Sequence, residues 1–411
     1  MNKLAVLACA AMLLALTLGC GKSSTKPTVD SGGAQHETDL GSQALASGNY
    51  ANANAHFKAA IALDPGNAQA QFGAGVTEVY LLQNDPDILA VQAQLPLVRS
   101  PIVPVQHSRT GRVETMRQRL TAARSGVDQR YSPKPMGTAF FRTLLLAADE
   151  PDSISEVQAI IRNKVMPRLQ YAEERLNAAE AASNFVMLLP PSVTDLPDTI
   201  EIDKTELYVL DAVVNSVQGW CGLLVAYNFD VENSDFEHVN AESLLTGATA
   251  WATLHAGGVL ELASARLNFL NVKGKLDAAA AYLAAETDDQ SDDIIPQSWL
   301  TTQDFTDLHD AVAQVYTSLN SPVTITVNDY SMQPMDLQIQ IGRFFVPAIT
   351  DLKPKFPALV FYGTVPEIAV PITFPDPTIN GIFPDMTNVR WRQLTGITAA
   401  SRLAPRAVAL H

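Results

Sequence analysis

Residues 203–227 read DKTELYVLDAVVNSVQGWCGLLVAY, and this stretch settles the fold class. Asp203-x-x-Glu206 is a capping box, in which each side chain reaches the other residue's otherwise unpaired backbone N–H at a helix start. Behind it Leu207, Leu210, Val214, Val217, Cys221 and Leu224 recur every three or four residues, the spacing of one helical face. Trp220 and Tyr227 stand beside that stripe. So apolar a helix belongs at the centre of a core, and the chain is expected to be mainly α.

The flanks extend the same pattern. Upstream, Ser153-x-x-Glu156 opens a helix through Val157, Ile161, Val165, Leu169, Ala172, Leu176 and Ala179, and Pro167 should kink it. A loop at Pro190-Pro191 follows, then a short strand over Thr199 to Ile202. Downstream, one helix is expected from near Asn240 through Leu244, Trp251, Leu254, Leu260 and Leu262, and another over about Lys273 to Ala285. Gly257-Gly258 should thin or kink the first of these and let a neighbouring backbone approach. A last long helix spans Thr302 to Leu319.

Beyond residue 320 the texture changes. Val323 to Val327 and Leu337 to Ile341 alternate with period two, as half-buried strands do, and predict a hairpin. Between Pro347 and Pro384 the prolines admit only short edge strands, such as Leu359 to Tyr362, and extended loops. Asp376 to Gly381 reads as a turn, and Thr387 starts a short final helix carrying Trp391. This tail is expected to wrap the helical body.

The chain has 411 residues, 17% charged and 47% hydrophobic, a globular composition that excludes disorder and collagen-like repeats and sets two or three domains. A net charge of −15 makes it a poor general ligand for nucleic acid. One segment departs from that balance: Arg99 to Arg142 holds nine Arg or Lys against Glu114 and Asp128. It either pairs with acidic helices of its own chain or faces an anionic partner such as lipid headgroups. A single helix from about Arg109 to Ser125 is expected within it.

The amino terminus is an address. Lys3 precedes an apolar run from Leu4 to Leu18, too short for a membrane span, which wants about 20 residues, but suited to a signal-peptide core. The ending Leu16-Thr17-Leu18-Gly19-Cys20 resembles the lipobox of bacterial lipoproteins. That resemblance implies cleavage before Cys20 and diacylation there, and with Gly21 next, an outer-membrane destination, on the periplasmic face or the cell surface. Residues 20–35 then form a flexible polar tether. Of three cysteines, Cys9 leaves with the signal and Cys20 carries lipid, so Cys221 has no partner for a disulfide and reads as a buried thiol.

Leu40-Gly41, Gly48-x-Tyr50, Ala53-x-x-x-Phe57, Ala60 and Pro65 resemble the tetratricopeptide repeat, and Ala74-Gly75 returns to the Leu-Gly slot one 34-residue period later. Glu37 and Ala44 stand where that family has its Trp and first Tyr. The resemblance implies that small residues let two helices approach, that Tyr50 and Phe57 fill the gap, and that Pro65 ends the second helix. It also implies a polar binding face on Glu37, Gln43 and Ala44 of one helix and Gln71 and Thr77 of the next. One repeat cannot bury its own faces, so following helices must cap it. The expected organisation is thus a signal peptide over 1–19, a tether over 20–35, a tetratricopeptide-like hairpin over 36–85, an α-helical domain over 86–320, and a Pro-rich β/loop tail with a short terminal helix over 321–411.

Chemistry is less marked. The sequence has no Gly-rich phosphate loop, no Cys-x-x-Cys, no Gly-x-Ser-x-Gly elbow and no histidines paired at zinc spacing, so no cofactor or metal is expected. His255, in a helix six residues before Glu261, and His309, beside Asp310, serve as general bases only where the fold supplies partners. Glu286, Asp288, Asp289, Asp292 and Asp293 offer oxygen ligands but lack the glycine turn of a calcium loop. Two functions follow. One is a lipid-anchored envelope scaffold that binds a protein partner. The other is a ligand-binding or hydrolytic protein with its site between the helical body and the tail, using Asp376 and Asp385.

Overall fold

A computed structural model describes residues 29–86, 88, 154–191, 199–230, 249–287, 292–362, 365–369 and 371–397, and these residues are mainly helical. The lipobox, the basic segment and the start expected near Asn240 lie outside them.

Three helices open the structure: α1 (Ser31–Ala46), α2 (Tyr50–Leu63) and α3 (Ala68–Gln83). Each is capped by a side chain that accepts an unpaired N–H of its first turn, Asp30 from Gly33, Asn49 from Asn52 and Asn67 from Ala70. The first helix therefore starts at Ser31, inside the span read from the sequence as tether. Gly48, at φ +73°, makes the left-handed turn between α1 and α2. Phe57 is wholly buried in a slot walled by two glycines, since a Cβ on Gly41 or Gly73 would sit 2.8 or 2.5 Å from its ring. Leu40 is half-buried, Ala53 and Ala60 are sealed inside, and α2 ends at Leu63 with Gly48 and Pro65 in the exposed turns.

The expected kink at Pro167 takes a specific form. Helix α4 (Ile154–Ile160) passes into a π-turn (Ile161–Val165) and then into α5 (Met166–Glu180), with Pro167 at the start of α5. Proline lacks the N–H of a regular helical bond and its ring crowds the carbonyl four residues back, and a wider turn relieves both. The apolar stripe continues through it: Val157, Ile161, Val165, Leu169, Ala172, Leu176 and Ala179 are all buried. Helix α5 lies on α3 closely enough that a Cβ on Gly75 would sit 3.2 Å from the Ala172 carbonyl oxygen.

A two-stranded antiparallel ladder, β1 (Met187–Leu189) with β2 (Ile200–Ile202), leads into α6 (Lys204–Ala226), where both halves of the Asp203/Glu206 capping box form. Among the described residues α6 alone is long and apolar enough to cross a membrane, yet here it is the core helix. It runs antiparallel to α7 (Gly258–Ala285), as the contacts of Asn215 with Asn271 and of Ala226 with Gly258 show. Small residues bring the two axes together: Gly219 lies under the Phe269 ring, and Gly222 meets Ala265 and the Glu261 carbonyl.

Two expectations are corrected here. The pair expected through Leu260 and over Lys273 to Ala285 is one continuous helix, α7, and Leu254 lies before it in β4 (Thr253–Leu254), paired with β3 (Tyr227–Asn228). Gly257-Gly258 is the boundary rather than a kink. Gly257 takes the left-handed conformation at φ +97°, and a Cβ on Gly258 would stand 2.4 Å from the Ala226 carbonyl oxygen. The close backbone approach expected at this pair is present.

A 3-10 turn (Gln297–Thr301) precedes α8 (Gln303–Ser318), capped by Thr302, and the hairpin of β5 (Val323–Asn328) with β6 (Pro334–Ile339) follows in the register Val323 to Ile339. Strand β6 begins three residues before the alternation at Leu337, because proline is tolerated as a first strand residue. The short turn α9 (Gly342–Phe345), the ladder β7 (Leu359–Tyr362) with β8 (Val365–Ile368) and α10 (Asn388–Thr395) follow among the described residues. The tail holds a small core of its own, with Met335, Leu337 and Met386 buried beside Trp391. It is joined to the body where Phe345 packs with Leu262 and Ala265, and where the Tyr227 hydroxyl donates to the Ile349 carbonyl at 2.8 Å.

Phe57→Ala removes the plug of the glycine slot and is expected to cost about 3–5 kcal/mol, the usual range for a buried Phe. A urea melt of wild type against variant, followed by far-ultraviolet circular dichroism, measures it. A loss under about 1 kcal/mol, the level of an ordinary surface change, would mean the slot does not hold the hairpin.

Candidate functional site

The face implied by the repeat resemblance is largely used up inside the chain. Gln43 is exposed and Ala44 half-buried, while Glu37 meets His56 Nδ1 at 2.8 Å. Gln71 and Thr77, expected to face a partner, are buried. Gln71 donates to the Pro65 carbonyl at 2.8 Å and accepts from Arg175 at 3.2 Å; Thr77 donates to the Gly73 carbonyl at 2.6 Å and accepts from Asn54 at 2.9 Å. For Gln71 the physical reason is α5, which lies against α3 where an open array would leave a groove; Thr77 is turned instead onto Asn54 of α2. Its charges stitch the seam: Lys58 and Arg175 both cover the Tyr171 ring, and Glu78 pairs with Lys58 and Arg168.

His255 is not helical, as expected from sequence, but lies in the turn before α7. The fold does bring Glu261 to it. His255 Nε2 is 2.6 Å from Glu261 Oε2 and 2.5 Å from the Val225 carbonyl, while Nδ1 is 2.7 Å from the Ala256 carbonyl. Arg162, from the π-turn, donates to Glu261 at 2.9 Å and to the Val225 carbonyl at 2.9 Å. The group clasps three elements together. Both ring nitrogens face protein oxygens, so neither is left open toward a substrate.

A second cluster had no counterpart in the sequence reading. Asp211, Asn215 and Gln218 interrupt the buried face of α6 and meet a polar strip on α7. Lys275 contacts Glu180 and lies 2.6 Å from both Asp211 and Asn177; Asn271 donates to Asn215 at 3.1 Å and Asn268 to Gln218 at 3.2 Å. Gln218 donates to Glu173 at 2.9 Å. One ammonium serves two enclosed carboxylates, so burial, aided by Asp211 and opposed by Lys275, pushes Glu180 up to about 7. The spacing 211, 215, 218 is the signal that could have found it.

The remaining candidates are structural. Burial pushes the Cys221 thiol up to about 12, so it is a packing group without thiolate character at neutral pH. Asp376 accepts from the Thr378 hydroxyl and from the Thr378 and Asn380 amides and so fastens its own turn, while Asp385 accepts from the Gln338 amide and from Arg390 and so ties β6 to α10. Hydrogen bonding by Thr378 and the loop amides and the nearby Lys355 hold Asp376 below the usual carboxylate range against the cost of its desolvation. Of the acidic loop, Asp288 and Asp289 lie outside the described residues, and among the described residues no group of three His, Cys, Asp or Glu is arranged for a metal ion.

One surface feature stands out. On α7, Val259 is 56%, Leu260 76% and Leu267 57% exposed, with Ala263 exposed between them, an apolar stripe turned away from both α6 and the tail. Contiguous exposed apolar surface is what interaction sites present.

Glu206 gives this molecule a characteristic pH response. Burial, then the neighbouring Asp203, pushes its carboxyl up to about 8 from 4.5, and Glu180 rises in the same sense. Between those limits the native chain holds protons that the unfolded chain has lost, so stability falls as pH rises from about 5 to 8. Urea midpoints measured across that range should decline, and Glu206→Gln, which keeps the cap, should flatten the decline. A profile rising through the window would contradict this. No family model, curated protein or solved structure matches this chain.

Proposed function

We propose that the protein is a lipid-anchored component of the bacterial outer membrane that works by binding a protein partner of the cell envelope. The observation that carries this reading is the exposed stripe of Val259, Leu260, Ala263 and Leu267 on a helix whose opposite face is locked into the core. The resemblance of residues 16–20 to a lipobox supports the anchor at Cys20. The tetratricopeptide-like hairpin takes the part of a brace, since Gln71 meets α5 and Thr77 meets α2 where a free array would have offered both to a peptide. The alternative, a ligand-binding or hydrolytic site between body and tail, has less support, because Asp376 is engaged in its own turn and Asp385 in the joint between β6 and α10.

Two measurements test this reading. Cys20→Ser should move the protein from the membrane to the soluble fraction and abolish incorporation of labelled fatty acid; unchanged membrane retention and labelling would remove the anchor. Cross-linked co-purification from native membranes should recover one defined protein with the wild type and at least tenfold less of it with Leu260→Ser/Leu267→Ser, at an unchanged melting temperature. If both forms purify alone, the interaction reading fails.

A further inference from the structure

The β5–β6 hairpin has two edges, and the tail closes one of them. In an antiparallel ladder alternate residues turn their N–H and carbonyl groups toward the neighbouring strand and away from it. The turn bond from the Asp329 N–H to the Gln333 carbonyl sets that alternation: Val323, Ile325 and Val327 face β6, and Thr324, Thr326 and Asn328 face outward. On β6 the outward groups are taken. The Gln338 N–H donates to Asp385 at 3.0 Å, the Gln340 N–H to the Ile382 carbonyl at 2.7 Å, and the Asp336 carbonyl accepts from Arg390. On β5 they are not. Among the described residues no hydrogen bond is made to the outward backbone groups of Thr324, Thr326 or Asn328, and all three residues are exposed.

A free edge is a template for another strand, and chains ordinarily blunt it with a lysine, a proline or a bulge. Val323-Thr-Ile-Thr-Val-Asn328 carries none of these, and its register with β6 is unbroken over all six residues. The strand is also complementary to itself. Laid antiparallel about a two-fold axis at Thr326, it sets Thr326 against Thr326 and Thr324 against Asn328 on the polar outer face. On the inner face the same register sets Ile325 against Val327, both left half-buried beside the small core of the tail. Like pairs with like across such a joint, apolar on one face and hydroxyl on the other, and no charge opposes a charge of its own sign. The hairpin tip fits as well: Tyr330, 72% exposed, falls opposite Pro322 of the second copy.

We propose that two copies of this chain pair through β5, antiparallel and two-fold about Thr326, into one four-stranded sheet. This edge lies in the tail and rests neither on the α7 stripe nor on the anchor at Cys20. A six-residue pair is small beside the roughly 1,200 Å² of a standard stable interface, so the dimer should be weak and reversible.

The test begins with the full chain in native membranes, treated with a mild oxidant and followed on non-reducing gels; wild type, whose Cys221 is buried, supplies the background. Thr326→Cys places two thiols on Cα atoms about 5.5 Å apart, within reach of a disulfide. It should form a covalent dimer at least tenfold faster than Asn328→Cys, whose two copies lie about 14 Å apart in this register. Sedimentation equilibrium of the detergent-purified full chain, in about 0.15 M salt to screen its net charge of −15, should show a reversible dimer. Thr326→Lys, which sets like charges face to face, should weaken that dimer at least tenfold at an unchanged melting temperature. Thr326→Pro, which removes the central outward N–H and no bond to β6, should do the same. Equal cross-linking from positions 326 and 328, a dimer untouched by both substitutions, or a monomer up to about 1 mM overturns the proposal. So does a Thr326→Cys adduct with a different protein and none between copies, which would give the edge to a foreign strand.

Discussion

The approach of α6 to α7 is the constraint on which the rest of the structure depends. Gly222 and Gly258 let the two helices pack nearly backbone to backbone, and Gly219 makes room for the Phe269 ring. Along the seam, Asp211, Asn215 and Gln218 must find Lys275, Asn271 and Asn268. An apolar seam tolerates a slip of one turn; this one does not, because a slip would strand buried polar groups without partners. Register is thereby fixed at one end by charge and at the other by the contact of Gly258 with the Ala226 carbonyl. Everything attached to this pair inherits its position: α5 through Glu173, Asn177 and Glu180, the His255 clasp through Glu261, and the tail through Arg266 and Phe345.

The amino-terminal hairpin solves a different problem. Two or three repeat-like helices expose apolar flanks that a long array would bury against further copies. Here α5 takes the place of the next copy, and the π-turn before it keeps Ile161 and Val165 on the same buried face as Leu169 and Leu176. The result is a hairpin sealed to its own body by Tyr171, Arg168 and Arg175. Polar residues that a free array would offer to a peptide became internal hydrogen-bond donors and acceptors.

Local signals carried much of this architecture. The Asp203/Glu206 capping box and the three-to-four spacing located α6, the α4–α5 stripe and α8, and alternation located the β5–β6 hairpin, because each depends on residues near in sequence; Ser153 of the other expected box lies outside the described residues. What escaped depends on contacts distant in sequence. Leu254 continues a helical spacing but pairs with Tyr227, and nothing local separates a glycine pair that kinks a helix from one that begins it. The Asp211 network was hidden for a related reason: polar residues on an apolar stripe acquire meaning only when α7 is seen opposite them. Gln71 and Thr77 sit on the helix the repeat pattern assigns them, yet no pattern states that α5 will lie across it.

The bond from the Tyr227 hydroxyl to the Ile349 carbonyl joins groups 122 residues apart. At a synthesis rate of roughly 5–20 residues per second, the acceptor is made on the order of ten seconds after the donor. Once α7 too is made, the end of α6, with Ala226 and Tyr227, and the Leu262 face of α7 share an apolar surface that waits for Phe345 and Ile349. Loop closure over such a span slows folding more than it weakens the folded state. The tail is thus a late-arriving seal, and its arrival sets when the central helices stop being adhesive to other chains.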